Sequence, residues 1–434
     1  MQHHIKGLNP LNIVLIGSGG RESAIAWALR ASDKVEKLTC IPGNAGMAQM
    51  AACVPGIKAT NIDAICVWVE NNRALADFVV VAPDDPLALG LVDRLEAMGV
   101  PAFGPTAAAA RVEASKSFSK DIMTQAGIPT ARWQAFDDVD AAVAYIQQQG
   151  APIVIKADGL ALGKGVCVAK TVEEAVAFTR SLMVDGVFAA SGSRIVIEEC
   201  MQGPEATLLC FCDGKTAVPM VSSQDHKRAL TGDLGPNTGG MGAFAPTPFL
   251  TPEHIDFTMQ RIVAPLMQRL SALGCPFKGV LYVGLMVTGE GPKVIEFNAR
   301  FGDPETQAVL PLLKTDLLEI MLACREGRLA SLPIAWSSAA SCCVVMASGG
   351  YPERYETGKP ITGIDAAQKD GALVFHAGTA VKDGVLVTSG GRVLGVTCVA
   401  DSVPEAAGKA YGAVGRIAFE GEYHRADIGA AVKP

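Results

Sequence analysis

Residues Leu11–Arg30, LNIVLIGSGGRESAIAWALR, constrain the fold more than any other stretch. The run opens as a nearly continuous apolar strand, turns at a glycine cluster and continues as an amphipathic helix. A strand with no polar face belongs in a parallel sheet covered by helices on both sides. Further strands are predicted at Lys37–Ile41 and Ala76–Pro83, with a helix around Leu89–Met98. A short strand, a glycine-proline turn and helices then run to Asp121. Strands alternating with helices predict an α/β fold that begins with a doubly wound parallel-sheet domain.

At 434 residues the chain exceeds one ordinary core, and roughly three domains are the prior. The pattern divides it at 1–122, 123–200, 201–332 and 333–434. The second region holds a glycine-rich pair of strands (Ala151–Lys170), a helix and the strand Ser193–Met201. The third has strands at Ala206–Cys212, Thr216–Val221, Gly279–Val287 and Lys293–Phe297. The last is mixed α+β, with strands at Ala340–Ala347, Leu373–Thr379 and Arg392–Ala400 and a hairpin signal at VKDGVLV.

Composition narrows the function classes. An apolar share of 49% with 46 glycines fits a compact enzyme and not disorder. A net charge of −7 without any basic run argues against nucleic acid. Mean hydropathy is +0.28, so a membrane span must be considered. The longest uncharged stretch, Leu329–Pro352, carries two prolines and two glycines and reads as a linker entering a buried strand. MQHHIKGLNPLN lacks the apolar core and cleavage site of a signal peptide. The twelve cysteines show no CxxC spacing, and the expectation is small buried hydrophobes in a reducing cytoplasm.

KVIEFNARFGDPE (Lys293–Glu305) begins as a core strand and then delivers Glu296, Asn298, Arg300, Asp303 and Glu305. Buried charge is costly unless it meets a metal, a counter-ion or a ligand. Glu296 and Asn298 are two apart and share a strand face. Their oxygens suit Mg²⁺ or Mn²⁺, with water and phosphate completing the shell. Arg300 continues that face and suits a planar anion. The alternative is a structural Glu–Arg pair.

Other motifs leave alternatives open. In IKADGLALGKGV (Ile155–Val166), Lys156 ends a strand and Lys164 lies in a glycine-rich hairpin that could fold over phosphates; an ordinary hairpin is the alternative. IVIEECMQGPEA (Ile195–Ala206) places Glu198, Glu199 and Glu205 around a hinge that could receive a nucleoside, or simply an acidic turn. GSGGRES (Gly17–Ser23) suits a substrate phosphate, a nicotinamide or flavin dinucleotide, or a structural turn. The dinucleotide reading lacks its third glycine, and no acid follows the second strand, which ends in CIPGNAG. SSQDHKR (Ser222–Arg228) and GPNTGGMGAF (Gly235–Phe244) read as loops, the second able to hold an anion on its N–H groups.

IKADGLALGKGV, IVIEECMQGPEA and IEFNARFGDPE, in that order, resemble an ATP-grasp ligase. GSGGRE, PGNAG, FGPT, SQDHKR, GPNTGGMGA, GYP and FHAGT are similar to the phosphoribosylamine–glycine ligase (glycinamide ribonucleotide synthetase) family, from about Leu11 to Ile428. The resemblance implies a doubly wound N-terminal domain, a small lid, a central ATP-grasp half and a C-terminal domain. It implies ligation of glycine to 5-phosphoribosylamine with ATP, by a monomer in the cytoplasm that needs neither nucleic acid nor membrane. By motif match, Glu296 and Asn298 would bind Mg²⁺ or Mn²⁺. Lys116, Lys156, Gly159, Gly163, Lys164, Gly165, Glu198, Glu199, Cys200, Met201 and Glu205 would bind ATP. Gly17, Gly19, Gly20, Arg21, Glu22, Gly43 and Asn44 would face phosphoribosylamine. Asp225, Lys227, Gly239, Gly240, Met241 and Arg300 would surround glycine and the transferred phosphoryl group. The sequence departs from the family pattern at Asp84, where glutamate is usual, and at Ala299 and Leu234.

Overall fold

The computed structural model describes residues 10–160, 165–185 and 192–430. Among these residues, strands Leu11–Gly17, Val35–Pro42, Ala52–Cys53, Phe78–Val81 and Ala102–Phe103 form one parallel sheet. Leu11–Gly17 lies at its centre, between Val35–Pro42 and Phe78–Val81. Ile13, Val14, Leu15 and Ile16 are fully buried. Ile13 and Leu15 enter one apolar core while Val14 and Ile16 enter another, the alternation a doubly covered strand requires. Each such side chain contributes about 1.5–3 kcal/mol of burial. Strand order reverses beside Leu11–Gly17, so the loops after Gly17 and Val81 part and leave a crevice at the carboxyl ends of the strands.

The lid is an antiparallel sheet of Trp133–Phe136, Ile195–Glu199, Ile153–Ala157 and Val166–Ala169. Ile153, Ile155, Ile195 and Ile197 pack on helices Val139–Gln149 and Val172–Met183 through Ala142, Ile146, Ala175 and Leu182. The Asp138 and Thr171 side chains cap those helices.

The central sheet runs Ala217–Pro219, Glu205–Asp213, Lys278–Thr288, Gly291–Asn298, all antiparallel. Its register slips between Gly284↔Glu296 and Leu285↔Val294, leaving Ile295 as a bulge. The bulge sits next to the residues that the sequence marks as a metal site.

The C-terminal sheet contains Ala340–Ser348, Arg392–Ala400 and Leu373–His376. The predicted hairpin is present as Thr379–Lys382 and Val385–Thr388, turning at Asp383 and Gly384 with φ of 51° and 77°. Two segments read as loops prove to be strands of this sheet: Gly242–Ala245 pairs with Ala340–Ser348, and Gln224–Asp225 pairs with Gly242–Ala245. In Gly242–Ala245 glycine hid the alternation and the partner strand lies far along the chain, while Gln224–Asp225 is too short to show a period. Strand Ala340–Ser348 is buried throughout, and no helix among the described residues is long and apolar enough to cross a membrane.

Candidate active site

Helix Lys116–Gln125 begins the site. Ser115 caps it, and Asp158 from the lid accepts from the Ser117 N–H at 2.8 Å. Lys116 Nζ donates to the Gly159 carbonyl at 2.9 Å. One turn on, Lys120 Nζ meets Glu198 Oε2 at 2.9 Å, while Lys156 Nζ meets Glu198 Oε1 at 2.9 Å. Lys120, Lys156 and Glu198 are all buried. Lys120 also donates to Thr130 Oγ1, and Lys156 to the carbonyl of the bulged Ile295 at 3.0 Å. Burial, relieved by Glu198 and aggravated by Lys156, brings the Lys120 ammonium down to about 8. Two cations thus share one carboxylate, a surplus that favours an anionic ligand.

Glu198 therefore faces inward and holds lysines, whereas the half-buried Glu199 faces outward onto Arg132. Cys200 and Met201 follow as half-buried hinge residues, and Glu205 accepts from Lys227 at 3.3 Å. Gly159 and Gly165 flank the lid hairpin; Gly163 and Lys164 lie outside the described residues.

Glu296 is the centre of charge. Lys227 Nζ stands 3.7 Å from its Oε1. Burial opposes its charge, but Lys227, Lys156, Lys116 and Arg300 outweigh that and hold its carboxyl down to about 2. The Asn298 side-chain oxygen accepts from Arg300 Nη2 at 3.2 Å. The same Nη2 pairs with the buried Glu113 Oε1 at 2.8 Å, and Glu113 Oε2 accepts from the Ala299 N–H at 2.7 Å. Burial, eased by Arg300, leaves Glu113 at about 6. Arg300 Nε is buried without an acceptor among the described residues. Asp225 is raised to about 8 by burial, with Lys227 opposing and Glu305, Glu205 and Glu296 adding to it.

At the N-terminal crevice, the Gly19 N–H donates to Glu22 Oε2 at 2.6 Å, and Glu22 Oε1 takes Arg21 Nε. That donor is thus committed within the chain, at the place where a dinucleotide's pyrophosphate would sit. Gly17 has φ +127°, and a Cβ there would meet the Glu22 side chain at 2.3 Å. A Cβ on Gly20 would strike Gln307 Nε2 at 2.6 Å, so this turn is packed against the central domain. Asn44 uses its whole side chain: Nδ2 donates to the Ser18 and His376 carbonyls, and Oδ1 accepts from the Gly46 and Met47 N–H groups. It fixes the loop after Gly43.

The glycine loop differs from the expected open nest. The Gly239 N–H donates to Tyr351 Oη at 3.1 Å, the Gly240 N–H to Thr238 Oγ1 at 3.0 Å, and Met241 is a buried core residue. Arg392 Nη1 donates to the Gly239 carbonyl at 2.6 Å and the Asp303 carbonyl at 3.0 Å, while its Nη2 meets Asp303 Oδ2 at 2.8 Å. Sequence reasoning missed Arg392, Tyr351, Glu113 and Lys120. Only Lys120 left a local signal, four residues after Lys116 on one helix face.

Comparison with known proteins agrees with this geometry. Family patterns described as Phosphoribosylglycinamide synthetase match in three parts: N domain at residues 11–113, ATP-grasp (A) domain at 114–306 and C domain at 341–431. A phosphoribosylamine–glycine ligase of Mesorhizobium japonicum is 48% identical over 96% of this chain and 98% of its own length. A crystal structure of the Thermotoga maritima phosphoribosylamine–glycine ligase superposes with TM-score 0.84 at 32% identity, covering 96% of this chain and 99% of that one. A biotin carboxylase domain from Hydrogenobacter thermophilus shares the fold alone, at TM-score 0.72 and 16% identity over 96% of this chain and 92% of that one. ATP-grasp enzymes use ATP with a divalent metal ion, which suits a site where lysines and carboxylates meet. With a full-length relative at this identity and all three domains matched, the chain belongs to the phosphoribosylamine–glycine ligase family.

Proposed function

We propose that this chain joins glycine to 5-phosphoribosylamine at the expense of ATP, giving N1-(5-phosphoribosyl)glycinamide, ADP and phosphate, in purine biosynthesis. The observation that carries the reading is the convergence of Lys116, Lys156, Lys227 and Arg300 on Glu296. The glycine carboxylate attacks the γ-phosphorus, giving glycyl phosphate and ADP. The ribosylamine nitrogen then attacks the acyl carbon and expels phosphate. Lys116 and Lys156 offset phosphate charge, and Arg300 aims the carboxylate with its planar guanidinium. Asp225, raised by burial and by its carboxylate neighbours, stands beside Lys227 at the place where glycine and the transferred phosphoryl group would meet.

Glu296 and Asn298 fit a Mg²⁺ or Mn²⁺ ion: both offer oxygen, Glu296 is held ionised, and both lie past the bulge on one strand. Such an ion supplies charge stabilisation at the phosphoryl group. We place the enzyme in the cytoplasm, acting as a monomer on small molecules.

ADP release should require glycine and freshly made phosphoribosylamine together, and carboxyl-¹⁸O glycine should yield phosphate carrying the label. Unlabelled phosphate would exclude glycyl phosphate. Arg300→Lys should raise the glycine KM by about tenfold or more, the worth of one charged hydrogen bond, with the ATP KM little changed. Equal rises in both constants would reject the aiming role.

A further inference from the structure

We propose that Cys40 and Cys53 are a redox-responsive thiol pair whose disulfide displaces the loop Gly43–Gly46 and so weakens use of the ribosylamine substrate. The two residues oppose each other in register on the parallel strands Val35–Pro42 and Ala52–Cys53. Such neighbours lie about 4.7–4.9 Å apart, inside the Cα separation of about 4.4–6.8 Å that a disulfide spans. Both side chains are on one face, since Cys40 belongs to the core of Ile13 and Leu15 and Cys53 packs against it. Cys40 is fully buried and Cys53 half-buried, so a small oxidant meets Cys53 first. Its Cys40 neighbour outweighs burial and brings Cys53 down to about 7, while Cys40 is raised.

The pair is wired to the site. A Cβ on Gly43 would meet Cys53 Sγ at 2.4 Å and Cys40 Cβ at 3.1 Å. The Cys53 thiol lies 3.9 Å from the Asn44 carbonyl, and the Asn44 side chain fixes the loop. A second in-register pair, Cys342 and Cys398, is buried on both sides, and burial pushes both thiols up. It is an internal control: an in-register cross-strand pair, here on antiparallel strands, without access or thiolate character.

With a peroxide as oxidant, the Cys53 thiolate attacks the O–O bond, gives a sulfenic acid and releases hydroxide. The Cys40 sulfur then displaces that hydroxyl, forming the S–S bond. Two thiols are oxidised, one peroxide is reduced, and both thiol hydrogens end in water.

The test is graded hydrogen peroxide on the native protein, followed by alkylation, peptide mass mapping and steady-state kinetics. A Cys40–Cys53 peptide lacking two hydrogens should appear while Cys342 and Cys398 remain alkylatable. The ribosylamine KM should rise by about tenfold or more, as a displaced positioning loop implies, and return on adding a thiol reductant. Cys53→Ser should keep its untreated activity and resist the same peroxide dose. Free Cys40 and Cys53 at doses that oxidise other cysteines would overturn the pair, and a linked pair with an unchanged KM would overturn the switch. The kinetic arm rests on the proposed ribosylamine site, whereas the mass measurement decides the pair even if the ligase assay fails.

Discussion

Glu296→Gln should lower kcat by about a thousandfold or more while the melting temperature stays within a few degrees, because losing a metal-directed charge removes several kcal/mol at the phosphoryl group. The amide keeps the size of the side chain and removes only its charge. That charge is what Lys116, Lys156, Lys227 and Arg300 converge on. The side chain is 31% exposed, so water can relieve the surrounding lysines in the variant and the fold should tolerate the change. ADP release at saturating Mg²⁺ and a thermal melt decide the matter. Near-normal turnover removes Glu296 from the metal role. A collapse in melting temperature with turnover retained would make it a structural anchor.

Glu198→Leu should behave in the opposite way, costing about 3–5 kcal/mol of stability, because it strands Lys120 and Lys156 as unpaired buried cations. A double variant, Glu198→Leu with Lys120→Met, should recover part of that loss, since one stranded charge is gone. Urea unfolding of the two variants against wild type measures it. If Glu198→Leu instead unfolds like wild type and only raises the ATP KM, the carboxylate serves the nucleotide and not the lysines.

Much of this was legible in the sequence wherever the signal is local. The Leu11–Arg30 unit, the strand ending at Asn298 and the Asp383–Gly384 hairpin each declare themselves by periodicity or turn chemistry. The direction of Glu198 was legible in principle: in a strand it must oppose Glu199, and one of the two had to face the core. What stayed hidden depends on distant chain. Arg392 grips Gly239 across 153 residues, and Tyr351 takes that glycine's N–H across 112. No spacing rule reports such a contact. The bulge at Ile295 was also silent, because an extra residue in a strand looks like one more apolar position.

The pairing of Gly242–Ala245 and Gln224–Asp225 with the C-terminal sheet has a consequence for modularity. Asp225, and Lys227 two residues on, hang from the edge of a sheet that continues through Gly242–Ala245 into strands from the last quarter of the chain. The matched ATP-grasp segment, 114–306, therefore carries the strand paired with Asp225 but not Ala340–Ser348, on which that strand rests. A graft of that segment onto a foreign tail would keep the lysines under the lid and leave the strand pair that places Asp225 and Lys227 without its supporting strand. A C-terminal piece cut loose would bare the hydrogen-bonding edge of Ala340–Ser348, an invitation to misassembly. In this chain the boundary between parts runs through a sheet, so the matched segments depend on each other for their edges.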